Sequence, residues 1–426
     1  MLDIKEIREN PERVEAKIKT KVPDASLSEL VAMDEELREL KTRVEGLKAT
    51  RNEVSKKIGE RKRNGESAQD LLDEVAGFAT EIHTLDHQVT ELERRFQHEL
   101  SKLPNLPMDD IKISADPADN VIVKEWGQKR EWDFTPKNHL ELNENLRLFD
   151  FQRGTKLAGS GWPVYRGNGA RMEWALINYM MSIHLKNGFE QWMPPAVVKD
   201  EILFGAGQLP KFENQQYKLD DVDYPFYLIP TAEVSLNGLH YDEILDEELP
   251  LKYMAYTPCF RREAGAAGEK ERGLIRVHQF NKVEMFVFCE PQQSAEMFDM
   301  MVASAEEILQ GLGLHYRNAL LVTGDMSFSG ARTIDVEVWL PGQDRYYEVS
   351  SVSNCTDYQA RRARIRYRPK EGEKPEFVHT LNGSGLATSR LMVSLLENNQ
   401  QADGSVTIPE VLRPYMDGLE RLTPIS

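Results

Sequence analysis

Long apolar runs are missing from this chain. None of its 426 residues belongs to a stretch of 18 apolar ones, so no membrane-spanning segment is expected. The first ten residues, MLDIKEIREN, lack the apolar core of a signal peptide. Cysteine is scarce. Cys259, Cys289 and Cys355 are odd in number and far apart, which excludes a disulfide framework and points to the reducing cytoplasm. No Cys/His cluster has metal-site spacing, so no structural zinc is expected. The glycine signatures GxxxxGK[ST] and GxGxxG are absent, so a bound nucleotide must be gripped by side chains instead of a glycine cradle. An excess of positive charge is missing too. With 53 Lys+Arg against 70 Asp+Glu the formal charge is -17, the reverse of the usual nucleic-acid footprint. The length suits two or three domains with a large buried core.

What is present begins with a helical arm. Leu30, Met33, Leu37, Leu40, Val44, Leu47, Arg51, Val54 and Ile58 are spaced alternately three and four apart. That is a heptad seam with one polar interruption. Leu71, Val75, Phe78, Ile82, Leu85, Val89, Leu92 and Phe96 form a second seam. Gly59 and Gly65 bracket the expected turn between them, Ser26 and Glu29 suggest a capping box, and Pro104 and Pro107 close the second helix. Two seams joined by a turn predict an antiparallel α-helical coiled-coil hairpin that buries its own seam. At about 1.5 Å per residue it is an arm of roughly 50 Å. Its tip is locally basic: Lys56, Lys57, Arg61, Lys62 and Arg63 lie within eight residues that hold one acid, Glu60. Residues 1–105 carry 19 Lys+Arg and 23 Asp+Glu, a net of -4, which leaves -13 on the rest of the chain.

After Pro107 the pattern changes. Short β-rich runs (VIVKEW, YPFYLIP, LKYMAY, KVEMFVF, IDVEVWLP, RYYEVSSV) mix with a few helices, clearest at 170–187 and 294–312. Strands and helices do not alternate at βαβ intervals. The expected class is α+β: the arm over 1–108, then a domain over 109–426 with a mainly antiparallel sheet flanked by helices.

Three stretches carry chemistry. Residues 257–288 place Arg261, Arg262 and Glu263 at the end of one strand and Glu284 inside the next, across a loop rich in Gly, Arg and Glu. An arginine fork suits a carboxylate or a phosphate, and a carboxylate in an apolar strand needs a partner. Residues 379–390, HTLNGSGLATSR, lead strand-like residues into Gly383 and Gly385, then a helix carrying Leu386 and Leu391 with Arg390 in its first turns. In residues 345–357, RYYEVSSVSNCTD, Glu348 and Ser350 alternate onto one face beside Ser351, a donor set suited to Mg²⁺. Each stretch alone also fits an ordinary structural role: a buried ion pair, a glycine turn, an exposed strand edge.

Jointly they are more specific. The FRRE arginine, and a glycine–arginine helix start about 130 residues later, resemble motifs 2 and 3 of the class II aminoacyl-tRNA synthetases. GFEQWMPPAVV resembles motif 1, with Pro194 or Pro195 as its marker. The arm, GQLPKF (207–212), PTAEV (230–234), FRREAGAAG (260–268), HQFNKVE (278–284), EVSSVSNCTDYQARR (348–362) and HTLNGSGLA (379–387) are together similar to the seryl-tRNA synthetase family. The resemblance spans essentially the whole chain. SGWPVY at 160–165 and Thr388-Ser389 depart from the family pattern.

The resemblance implies a ligase that activates L-serine with ATP and Mg²⁺ and passes the seryl group to the 3′-terminal ribose of tRNA(Ser), and also of tRNA(Sec). It implies a homodimer built through motif 1, and an arm that reaches the long variable arm of the tRNA. Arg261 is implied to touch the serine carboxylate and the α-phosphate, Glu263 the adenine side of ATP, and Arg390 the γ-phosphate. Phe280 stacks under the adenine, and main chain at Val277 meets the base. Arg262, Val349 and Ser350 complete the ATP site, and Glu348 with Ser351 holds Mg²⁺. Thr231, Ala232, Glu233, Glu284, Asn382 and Ser384 line the serine pocket. Lys56, Lys57, Arg61, Lys62 and Arg63 meet tRNA phosphates. Only 36 residues follow Arg390, too few for a separate anticodon-binding domain of the kind that threonine and proline enzymes carry. Two alternatives stand beside this reading: a class II paralogue that adenylates an amino acid for a non-tRNA acceptor, and a non-enzymatic coiled-coil adaptor.

Overall fold

The structure, a computed structural model, describes residues 1–263, 272–370 and 372–425. Most of the charged glycine loop of the expected motif 2, residues 264–271, lies outside the described residues. The chain divides into two compact units, Leu2–Pro104 and Asn105–Ser426, the second with Met1.

The first unit is the hairpin. Helix α1 spans Ser28–Arg63 and helix α2 spans Gln69–Ser101. The seam residues face inward, buried or half-buried, as the heptads require. Val54, Ile58 and Ala68 close the core near the turn, packed against Leu71, Val75 and Phe78. Ion pairs from Arg43 to Glu81 and from Lys48 to Asp86 cross between the helices. Exposed pairs of this kind contribute at most about 1 kcal/mol each, so the apolar seam carries the stability. Two details differ from expectation. The helix runs through Gly59 to Arg63, so the turn is shorter than the glycines suggested. The capping box is not formed: Leu27 is the N-cap, without a side-chain cap, and Ser26 Oγ instead accepts the Ser28 N–H at 3.3 Å.

The second unit is organised on an eight-stranded sheet. Its strands are β1 (Val121–Trp126), β2 (Glu190–Trp192), β3 (Leu251–Phe260), β4 (Gln279–Cys289), β5 (Tyr316–Leu320), β6 (Arg332–Leu340), β7 (Arg345–Asn354) and β8 (His379–Ala387). Their order across the sheet is β1-β5-β6-β7-β8-β4-β3-β2. Every pairing is antiparallel except β2 with β3. The helices used below are α3 (Asn168–Lys186), α4 (Ala232–Gly238), α5 (Ser294–Gly311) and α6 (Thr388–Asn399).

Both faces of the central strands are covered, and the period-two alternation of β4 shows how. Val283, Met285, Val287 and Cys289 join the main core, with Met172, Leu176 and Met180 of α3, Met301 and Ala305 of α5, and Leu391 and Leu395 of α6. Phe286 and Phe288 point the other way, onto Ala232 and Leu236 of α4. Lys282 and Glu284 share that second face, so the alternation that builds the core also aims them at the site.

β8 continues through Gly383 and Gly385, with an irregularity against β4 between Ser384 and Ala387, and Leu386 belongs to the strand instead of the helix expected there. The reason for glycine at 385 is a close approach. A Cβ there would lie 2.1 Å from Nε2 of His184, which sits 2.7 Å from the Gly385 carbonyl oxygen. Burial pushes that imidazole down to about 4, so His184 is neutral and rigidly held on α3.

Candidate active site

The ends of β3, β4, β7 and β8 and the start of α4 surround one cavity of about 680 Å³. Thr231, Glu233, Arg261, Glu263, Lys282, Glu284, Glu348, Ser351, Asn382, Ser384 and Arg390 all line it. A small side cavity of about 50 Å³ opens from the same wall; Val277, Phe280 and Val349 give it an apolar lining. Residues quoted from four distant stretches are thus brought to one place.

At one end lies a cluster of fixed charge. Glu284 is 1% exposed. Its partner is Lys282, two residues along the same strand, and not the neighbouring-strand Arg261. Thr231 Oγ1 donates to Glu284 Oε2 at 3.0 Å and accepts from Lys282 Nζ at 2.9 Å. Glu233 sits beside them and accepts from Gln359 Nε2 at 2.6 Å. Burial and the Glu284 charge push the Glu233 carboxyl up to about 7, against the opposing pull of Lys282, Gln359 and Arg261.

Arg261 forms the middle of the cavity. Its N–H donates to the His278 carbonyl oxygen at 2.9 Å and its Nε to the Pro230 carbonyl oxygen at 3.3 Å. The guanidinium carbon lies 5.2 Å from the centroid of the Phe280 ring. Glu263 holds a positive φ of 47° and pairs with Arg276 at 2.9 Å. On the far side Arg390 meets the Glu348 carboxylate and its carbonyl oxygen, each at 3.1 Å. Burial works against its charge, but Glu348 and Tyr347 outweigh it and raise its pKa.

Strand β7 departs from simple alternation. Ser350 pairs with Val336 and Glu348 with Glu337, which leaves Val349 as an extra residue, a β-bulge. Past the bulge the phase shifts by one. Glu348, Ser351 and Ser353 line the cavity, while Val349 and Val352 join the main core. Ser350, expected beside Glu348, is fully buried and donates to the Ser384 carbonyl oxygen. It anchors β8 and does not face the cavity. Ala232 is buried against Leu236 and lines no part of the cavity, and Arg262 lines a groove outside it.

Three buried groups escaped the sequence reading. Lys282 was readable: a K-x-E pair in a strand puts both ends on one face. Glu173 of α3, 5% exposed, accepts from Asn281 Nδ2 at 2.8 Å and from Thr388 Oγ1. It ties α3 to β4 and to the start of α6, and Thr388 is one of the residues expected to depart from the family pattern. Asp335 lies opposite Ser351 in the β6–β7 register; burial and the Glu348 charge push its carboxyl well above the usual range. The other departure, Trp162, stacks on His278 at 5.5 Å, behind Arg261.

At the arm tip Lys56, Lys57, Lys62 and Arg63 are exposed. Arg61 is committed locally, bonded to both oxygens of Asp70 at 2.7 and 2.8 Å.

A mainly antiparallel sheet that carries an arginine from a strand end and another from a following helix start into one polar cavity defines a class II aminoacyl-tRNA synthetase core. Residues 213–399 match the family described as tRNA synthetase class II core domain (G, H, P, S and T), and residues 1–107 match the seryl-tRNA synthetase N-terminal domain. A serine--tRNA ligase of Chlamydia pneumoniae is 53% identical over 425 residues, covering 100% of this chain and 99% of the relative. Among solved structures, a seryl-tRNA synthetase from Pyrococcus horikoshii complexed with ATP matches with a TM-score of 0.93 at 37% identity, covering 100% of both chains. A cytoplasmic serine-tRNA ligase from Naegleria fowleri in complex with AMP matches at 0.89 and 30% identity, covering 100% of this chain and 99% of that one. The chain belongs to the seryl-tRNA synthetase family.

Proposed function

We propose that the chain is a serine--tRNA ligase that carries out two transfers in the one cavity. A carboxylate oxygen of L-serine attacks the α-phosphorus of ATP, and the bond to the bridging oxygen breaks to release pyrophosphate. A hydroxyl of the 3′-terminal ribose of tRNA then attacks the serine carbonyl carbon and loses its proton, and AMP leaves. The observation that carries the reading is the Thr231–Lys282–Glu284 cluster beside Glu233, with Arg261 between it and the apolar slot. Fixed acceptors suit an ammonium and a hydroxyl, and an amino acid without the hydroxyl leaves them unpaired. Asn382 and Ser384 complete the serine end.

Arg261 neutralises charge that builds on the α-phosphate and holds the serine carboxylate in line, so positioning and electrostatics supply most of the rate. The adenine lies in the slot of Val277, Phe280 and Val349, with Glu263 at its side and Arg390 toward the γ-phosphate. Ser350 acts indirectly, by fixing Ser384. Glu348 and Ser351 fit Mg²⁺, which takes one or two protein oxygens and fills its shell from phosphates and water. Asp335 Oδ1, buried without a hydrogen-bond partner among the described residues, agrees with a cation at this crowded acidic place. When bound, Mg²⁺ offsets phosphate charge.

The same reading assigns the arm to tRNA. Lys56, Lys57, Lys62 and Arg63 meet phosphates of the long variable arm of tRNA(Ser), and of tRNA(Sec) where the host makes it. Exposed Trp174 and Met193, 57% and 87% accessible, support a homodimer through motif 1, and the few scattered cysteines suit the reducing cytoplasm. The test is ATP–pyrophosphate exchange with a panel of amino acids. Exchange driven by serine and far less by alanine supports the reading; exchange indifferent to serine refutes it.

A further inference from the structure

The small side cavity read above as the adenine slot has two walls. Phe280 and Lys282 of β4 form one, and Ala387 at the end of β8, with Ser389 and Arg390 of α6, forms the other. The backbone pairing of β4 with β8 ends at Lys282 and Ala387, so no ladder ties the walls beyond that pair. Asn281 and Thr388 fall between the lining residues and turn away from the slot. Both meet Glu173 of α3, on the main-core face of the sheet. Asn281 Nδ2 lies 2.8 Å from Glu173 Oε1, and Thr388 Oγ1 contacts the same oxygen. Thr388 Oγ1 also lies 2.9 Å from the Asn281 carbonyl oxygen.

The hydrogens do not balance if Glu173 is ionised. Thr388 has one hydroxyl hydrogen and would face two acceptors, the carboxylate and the Asn281 carbonyl oxygen. The carbonyl has no hydrogen to give, so the group that can supply the second one is the Glu173 carboxyl. Its surroundings agree. Glu173 Oε2 is buried without a hydrogen-bond partner among the described residues, a costly place for half of a carboxylate. Among the described residues no cation acts on it. The titratable groups facing it are the phenols of Tyr165 and Tyr256, and burial first, then the Glu173 charge, pushes both up. Burial pushes the Glu173 carboxyl up as well, against the pull of Thr388 and Asn281.

We propose that Glu173 is a positioning residue for ATP: as a neutral acid it donates to Thr388 Oγ1, Thr388 donates to the Asn281 carbonyl oxygen, and this chain of bonds clips the two walls of the slot together. The inference rests on the adenine reading of that slot. The carboxyl donates to Thr388 instead of accepting from it, and Oε1 still accepts from Asn281 Nδ2, so each hydrogen has one acceptor. The clip fixes the spacing between Phe280 and Arg390, and with it the width of the slot before ATP arrives. A slot already at that width loses less freedom on binding.

The test is Thr388→Val in the full chain, which keeps the shape of the side chain and removes its hydroxyl. The KM for ATP in serine-dependent pyrophosphate exchange rises about fivefold or more, the scale of a lost buried hydrogen bond, while the KM for serine stays within about twofold. Thr388→Ser restores the KM for ATP. Infrared difference spectra of the parent minus Glu173→Gln at neutral pH show the carbonyl stretch of a protonated carboxylic acid, shifted slightly in deuterium oxide. An unchanged KM for ATP in Thr388→Val overturns the inference. So does an equal rise in both KM values, which makes the contact one of general packing, and so do carboxylate stretches in place of the acid band. Phe280→Ala with an unchanged KM for ATP refutes instead the adenine reading of the slot, and a parent protein without serine-dependent exchange refutes the proposed function itself.

Discussion

Serine binding should expel a proton from Glu233. In the free protein burial and the neighbouring Glu284 raise that carboxyl from 4.5 to about 7. The shift corresponds to about 3 kcal/mol of bias against its charged form. The serine ammonium is the missing counter-charge. Placed against Glu233 it favours the carboxylate and returns the pKa toward the ordinary range, so uptake of serine is coupled to proton loss. At pH 7 about half of the free molecules hold this proton, so about 0.5 proton leaves per serine bound; the figure is about 0.9 at pH 6 and about 0.1 at pH 8. Calorimetric titration in buffers of different ionisation enthalpy reads the number directly. Glu233→Gln should bind serine more weakly and abolish the buffer dependence. A parent protein that releases no proton at pH 6 to 7, or a Gln variant that releases as much, refutes the assignment of Glu233 to the ammonium.

Arg261→Ala should lower serine-dependent exchange by about 10²–10³, the scale of losing one preorganised charge at the reacting centre; retained exchange refutes its role. Lys282→Ala leaves Glu284 buried and unpaired and should cost about 3 kcal/mol in denaturant unfolding, with adding Glu284→Gln recovering more than half; additive losses would mean the pair is not coupled. His184, held down to about 4 against 6.5 in the unfolded chain, stabilises fully above pH 6.5, and its contribution of about 3 kcal/mol is lost as pH falls through 4. Unfolding measured from pH 7 to 4 should slope less steeply in His184→Gln, and parallel profiles would refute this. Replacing Lys56, Lys57, Lys62 and Arg63 by Ala should weaken tRNA charging and leave exchange intact. Equal loss of both would make the tip structural. Arg61 is left in place, since its bond to Asp70 closes the turn.

The arm was legible because a heptad is local: each helix announces its buried seam within its own residues. The long strands were legible for the same reason, through their β-rich runs. What could not be read was anything set by pairing between distant segments. The bulge at Val349 moves the cavity face from Ser350 to Ser351 and Ser353, and nothing in RYYEVSSV marks it. The β2–β3 parallel pair joins segments about 60 residues apart and leaves no local trace. Glu173 looks like any polar residue of an amphipathic helix until Asn281 and Thr388 are seen to converge on it. The glycines of HTLNGSGLA suggested a turn, yet the strand continues, because Gly385 makes room for the His184 ring. Arg261, Glu284, Glu348 and Arg390 stand out in their own stretches, the family resemblance joins them into one site, and they meet in one cavity; Lys282 was within reach of simple alternation and was missed.

The acidic whole-chain charge of -17 is compatible with a tRNA partner if attraction is confined to local basic patches such as the arm tip. The most direct test of the account is charging of unfractionated tRNA with labelled serine. ATP-dependent, base-labile attachment of serine to tRNA is expected, with threonine and alanine attached poorly. Formation of seryl-adenylate with no serine esterified to tRNA would contradict it and leave the carrier-loading alternative.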